Sequence, residues 1–194
     1  MKGELHMSDL HTLYKQYLSN HKRRQNKGAG FSKDSEQGKV YASEWAITKH
    51  LYTKKNKFKD IQECQNFVNR VVQSKTWSKV KRPLRSVMLV EMKDKSGGVA
   101  GLSYGSRILL KPRYGFDKYT ILHELAHSAG HSHHGRSFRQ TLLKLVSAFL
   151  GRREANLLKQ EFKKRKLSFG EARKPLTFDQ WLAKRERLNK AKGL

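Results

Sequence analysis

The stretch DKYTILHELAHSAGHSHH, residues 117 to 134, constrains this chain more than any other. Ile121, Leu122, Leu125, Ala126 and Ala129 recur at spacings of three and four, the period of a helix with one apolar face. Asp117 stands where an N-cap is wanted and Gly130 where a helix stops. Within that helix His123 and His127 are four residues apart. Both imidazoles therefore leave one face, with Cβ atoms ~5–6 Å apart. Two imidazoles so placed can reach one ion at about 2.0–2.1 Å. Glu124 follows His123 directly, and the five residues read HExxH. That is two metal ligands plus a carboxylate able to take a proton from an activated water.

A catalytic zinc takes three protein ligands and keeps one position open. The residues themselves leave the third ligand unassigned. HELAHSAGHSH has the letters HExxHxxGxxH, which would make His133 the ligand, as in metzincins. Those proteins place a methionine turn after the motif, whereas Met1, Met7, Met88 and Met92 all precede it here. Glu154 or Glu161, on a later helix, would be a ligand of the gluzincin kind. His134, in HGRSF, is a third candidate. His131 reads as a residue behind the ligands or in solvent. Gly135 is expected to let the chain turn sharply toward the metal, and Phe138 to anchor that turn by burying itself.

The rest of the chain reads as an α+β domain between basic tails. Residues 1–38 form an N-terminal arm, in which HKRRQNKGAGFSK mixes basic residues with glycine; a short helix over Leu10–Leu18 is expected within it. Residues 39–167 are the folded domain. In KVYASEWAITKHLY, Val40, Trp45 and Ile47 or Leu51 recur at helical spacing. FKDIQECQNFVNRVVQSKTW is a second helix, with Ile61, Cys64, Val68, Val71 and Val72 on one side. Cys64 is then a small core residue rather than a nucleophile. RSVMLVEM (85–92) and VAGLSYGSRILLKP (99–112) have strand character, the latter broken at Gly105-Ser106. Helical spacing returns in RSFRQTLLKLVSAFLG and REANLLKQEFKKRK. Residues 168–194 are a basic C-terminal tail. The architecture expected is a small sheet of about three strands packed on the HExxH helix, with flanking helices.

The run HELAH, then HGxxF, then a helix with Leu142, Leu145 and Phe149 resembles the SprT-like and Spartan-like zinc metalloproteases. It is most similar to a small group of metallohydrolases from actinobacteria and their phages. Their line LHELAH…HGxxFxxxLLxLVxxxLGxxEAxxL is matched here by LHELAHSAGHSHHGRSFRQTLLKLVSAFLGRREANLL. The likeness extends through SYGSRILLKPRYG and faintly to KVYASEWA, covering about residues 39 to 165. The link between HELAH and HG is unusually short in this chain, and His131 and His133 are additional. The resemblance implies Zn2+ held by His123, His127 and His134, with Glu124 as the general base. It also implies an edge strand beside the active-site helix that binds substrate backbone, for which SRILLKP is the candidate, its other reading being a strand of the sheet core. Tyr104, Tyr114, Tyr119 and Arg113 are available to stabilise an oxyanion, with nothing in the sequence to choose among them.

Composition bears on partners. The chain has 194 residues, 42 Lys+Arg and 16 Asp+Glu, a formal net charge of +26. A field of that size attracts polyanions, and nucleic acid is the polyanion expected. Mean hydropathy is −0.80, and no apolar run reaches the ~20 residues of a membrane span. The start MKGELHMSDLHTLYKQ has no apolar signal region, and one cysteine excludes an internal disulfide. A cytoplasmic setting, in a bacterium or a phage-infected cell, is expected. Two functions follow. One is a zinc endopeptidase working near nucleic acid. The other is a non-enzymatic basic protein that binds nucleic acid and uses zinc structurally, which calls for a site closed by four ligands.

Overall fold

A computed structural model describes residues 34–93, 98–170 and 176–191, together with Thr12, Lys15, Gln16, Leu18 and Ser19. Backbone contacts divide the chain into two units, Lys33–Gly170 and a second formed by Met1–Ser32 with Glu171–Leu194. In the second unit Thr12, Lys15, Gln16 and Leu18 are helical, as expected, while the rest of that short helix lies outside the described residues. The same unit holds a helix over Phe178–Ala191, where Phe178 stacks on Trp181 and Arg185 covers the Trp181 ring. No helix among the described residues is long and apolar enough to cross a membrane.

The unit Lys33–Gly170 is α+β. Its helices are α1 (Gln37–Ala46), α2 (Thr48–Leu51), α3 (Ile61–Val72), α4 (Pro112–Gly115), α5 (Lys118–Ser128), α6 (Arg136–Phe149) and α7 (Arg152–Lys164). Its strands are β1 (Met88–Glu91), β2 (Gly101–Tyr104) and β3 (Arg107–Leu110). α3 forms because Asp60 caps it, accepting from the Glu63 N–H, and because Cys64, Phe67, Val68 and Val71 fall on one buried stripe. Cys64 is wholly buried, and burial pushes its thiol up to about 12, as befits a core residue.

The sheet order is β1-β3-β2, with β1 parallel and β2 antiparallel to β3. The SRILLKP strand is therefore central, not an edge. Its backbone is paired on both sides and cannot accept a substrate strand. Of the two outer strands, β2 is the one that packs against α5. Strand patterning gives which residues are extended but not the order of pairing, which explains the misplacement.

A second expectation also changes. Val40, Ile47 and Leu51 are buried, but Trp45 is 81% exposed. The inward positions of α1 next to it are taken by Ser43 and Glu44, both buried. Where spacing and residue type point to an apolar side chain, the helix turns a carboxylate inward.

α5 is the axis of the unit. It touches β2, β3, α3 and α6, so nearly every side chain from Tyr119 to Ser128 is buried. Asp117 caps it as expected, accepting from the Thr120 N–H at 2.9 Å and the Thr120 hydroxyl at 2.7 Å. Gly130 ends it at φ +92°, where a Cβ would also stand 2.9 Å from Arg82 Cδ. The sharp turn falls here. Gly135 has φ −63°, which any residue adopts, and open space where a Cβ would be, so its expected role in the turn is not needed.

Candidate metal centre

His123 and His127 leave α5 on one face, and His134 approaches from the turn between α5 and α6. One ring nitrogen from each lies within 4.8 Å of the others, close enough for the three histidines to bind one metal ion. His133 is not in this cluster; its Nδ1 lies 3.9 Å from Asp34 Oδ2. Glu161 is paired with Lys164 and Arg165, Glu154 packs beside Gly151, and neither belongs to the cluster. His131 lies behind the ligands, buried, with Nε2 3.0 Å from the Thr141 hydroxyl.

Hydrogen bonds decide which nitrogen each histidine leaves free. His123 Nδ1 is 3.0 Å from Glu44 Oε1, and His134 Nδ1 is 2.6 Å from Asp34 Oδ2. His127 Nδ1 is 2.7 Å from the backbone oxygen of His131. Two carboxylates and a carbonyl can only accept, so each ring carries its proton on Nδ1. All three Nε2 atoms are then left with lone pairs. Those of His123 and His134 stand 3.1 Å apart. Two lone pairs facing each other at that distance need a positive charge between them, a metal ion or, in its absence, a proton on one ring. The donor set thus fits a metal ion, with carboxylate–histidine support of the kind metal sites use.

The floor under the rings is Phe138, 1% exposed, with its centroid 5.0, 4.4 and 4.7 Å from those of His123, His127 and His134. One wall is Tyr41 of α1, whose ring meets His134 edge-on at 5.0 Å and lies 5.8 Å from His123. Burial and nearby charge oppose each other here. Burial pulls His123 down, but Glu44 overrides it and leaves its pKa above the ordinary value. Burial and the His123 charge take His127 down to about 3.

Glu124 is buried beside His123. Burial raises its carboxyl above the usual range against the pull of His123, with Glu44 adding to the rise. β2 passes directly over it. A Cβ on Gly101 would stand 2.9 Å from Glu124 Cγ and 3.2 Å from its Cδ and Oε1. The edge strand and the carboxylate can approach this closely only with glycine there. Ser103 fastens the same strand to the helix through Ser128, 2.8 Å between hydroxyl oxygens.

Sequence reasoning reached His123, His127, His134, Glu124 and Phe138, which the structure brings together. It missed Glu44, Asp34, Tyr41, Gly101 and Arg139. Glu44 had a signal: an acid on the inward stripe Val40, Ser43, Glu44, Ile47. Asp34 had a weaker one, an Asp just before a helix. Of the four side chains available for an oxyanion, Tyr119 is wholly buried and cannot touch a substrate, while Tyr104 and Tyr114 are exposed.

No family model, no curated protein and no solved structure matches this chain.

Proposed function

We propose that the chain is a zinc-dependent hydrolase of the SprT-like kind, an endopeptidase that cuts proteins held near nucleic acid. One observation carries the reading. Three bare Nε2 atoms converge beside a buried carboxylate, and that carboxylate lies against the strand that is an outer edge of the sheet among the described residues.

His123, His127 and His134 would hold the metal. When bound, it would polarise a carbonyl and bring a water's proton within reach of a carboxylate near neutral pH. Glu124 takes that proton as the water oxygen bonds to the carbonyl carbon, and returns it to the leaving nitrogen as the C–N bond breaks. An extended peptide can pair with β2, which sets the scissile carbonyl over Glu124. Tyr41 supplies the electrophile. Gln37 Nε2 donates to its phenol oxygen at 3.2 Å, so the phenol proton is left to donate to an oxyanion. A structural zinc is closed by four protein ligands; the cluster holds three among the described residues, which favours an open position. The charge of +26 supports a polyanion as the place where substrate is met.

The test is metal content and cleavage of casein or histone, with and without single-stranded DNA, for the wild type and Glu124→Gln. About one zinc per chain in both proteins is expected, with the variant's cleavage lower by ~10²–10⁴-fold. A wild type that binds zinc and DNA but cuts nothing would leave a non-enzymatic basic protein with a structural metal.

A further inference from the structure

Asp34 lies 100 residues before His134 in sequence, yet it holds that residue twice. Its Oδ2 accepts from the His134 backbone N–H at 2.8 Å and from the ring Nδ1–H at 2.6 Å. Its other oxygen, Oδ1, accepts from the N–H groups of Glu36 and Gln37 at 3.2 and 3.1 Å, in the first turn of α1. One carboxylate therefore joins the start of α1 to the third ligand. Two residues on, Glu36 meets the guanidinium of Arg139 at 2.9 Å, and the same guanidinium donates to the His134 carbonyl at 2.6 Å. His134 is gripped through its ring, its N–H and its C=O, and these grips trace back to Asp34 and Glu36.

We propose that Asp34 is a positioning residue of the metal centre and that Asp34 and Glu36 act as a clasp, so that metal binding and the seating of these two side chains are one coupled event. The inference rests on the reading of the three histidines as a metal site. Its physical basis is the tautomer. With Asp34 accepting at Nδ1, the His134 proton is kept off Nε2, the atom the metal needs. The neutral amide of an Asp34→Asn variant is poorly placed to do the same. If that amide caps α1 through its oxygen, its NH₂ faces two donors of His134. If it turns its oxygen to His134, the NH₂ faces the N–H groups of α1.

Zinc and cobalt(II) affinity of the full-length protein, by chelator competition, tests this on the wild type, Asp34→Asn, Asp34→Ala and Ser35→Ala. Both Asp34 variants are expected to bind about 10–100-fold more weakly, with Ser35→Ala unchanged. In the zinc-loaded wild type, ¹H–¹⁵N correlation should place the His134 proton on Nδ1. Amide exchange at Glu36 and Gln37 should slow when metal binds, since the coupling is reciprocal. A purely structural cap on α1 would lower thermal stability but leave cobalt and zinc affinity, and the metal effect on exchange, untouched. Equal affinity in the wild type and Asp34→Asn overturns the clasp while leaving the hydrolase reading standing. A wild type without metal affinity overturns both.

Discussion

Two of the three clustered histidines share a helix, and the third stands on a turn; the two halves of the cluster are supported differently. The backbone of His123 and His127 is fixed by α5 itself, a capped helix buried along almost its whole length, and Glu44 and the His131 carbonyl orient the rings. The spacing of the two residues follows from the backbone of eleven residues. His134 has no such frame. It is held by Asp34, by Arg139 and, through that arginine, by Glu36 and Ser168. The cluster thus draws on local helix geometry for two of its residues and on contacts between segments far apart in the chain for the third.

Between the two halves, the larger effect should come from within the remote segment. Tyr41→Phe removes only a hydroxyl from the wall beside His134. Loss of an oxyanion donor costs ~10²–10³ in kcat, so cleavage should fall by about that factor with KM and zinc affinity little changed. The outcome separates chemistry from ligand support on one stretch of chain. If Tyr41→Phe weakens zinc instead, the residue belongs with the clasp and another group meets the oxyanion.

Arg139 tests the third ligand's support more directly. Its side chain is wholly buried, and it serves Glu36, the His134 carbonyl and the Ser168 carbonyl, the last at 2.8 Å. Arg139→Met keeps the apolar stem but strands these acceptors, two of them backbone oxygens. The expected cost is about 3 kcal/mol, read from urea unfolding of the metal-free protein. Zinc affinity should fall as well. A variant within ~0.5 kcal/mol of wild type, still binding zinc normally, would show that the turn holds His134 unaided and would erase the contrast between the halves.

The same contrast explains what was legible. The features that a helix sets by its own period could be read from spacing: the HExxH face, the Asp117 cap, the Cys64 stripe. The three-stranded sheet was legible as a set of strands. Its order was not, because patterning carries no pairing information, so β3 reads as the edge that β2 in fact occupies. His134 came from resemblance rather than from geometry. Asp34 fell in the arm because its partner lies 100 residues away, and no local period reports such a contact. Trp45 looked like core by type, while Glu44 took an inward position because His123 needs an acceptor there.

The smallest effect probes the helical half through its cap. Asp117 is buried, and burial raises its carboxyl to about 6 against the opposing bonds from Thr120. The ordinary value is 3.8. Between about pH 4 and 6 the folded chain therefore keeps a proton that the unfolded chain has lost. The stability this contributes is present below the lower value and is lost as pH rises through the upper one. It amounts to something on the order of 3 kcal/mol at most. Asp117→Asn caps a helix about as well and cannot titrate. The melting temperature of the wild type, measured against that variant without metal, should rise by several degrees from about pH 7 to about pH 4, because the other titrating groups cancel in the difference. Zinc affinity at neutral pH should stay within a few-fold, since α5 keeps its cap and both ligands their spacing. Parallel melting curves would mean that the Asp117 carboxyl is solvated. A large loss of zinc affinity would mean that the helical half, too, leans on more than its own backbone.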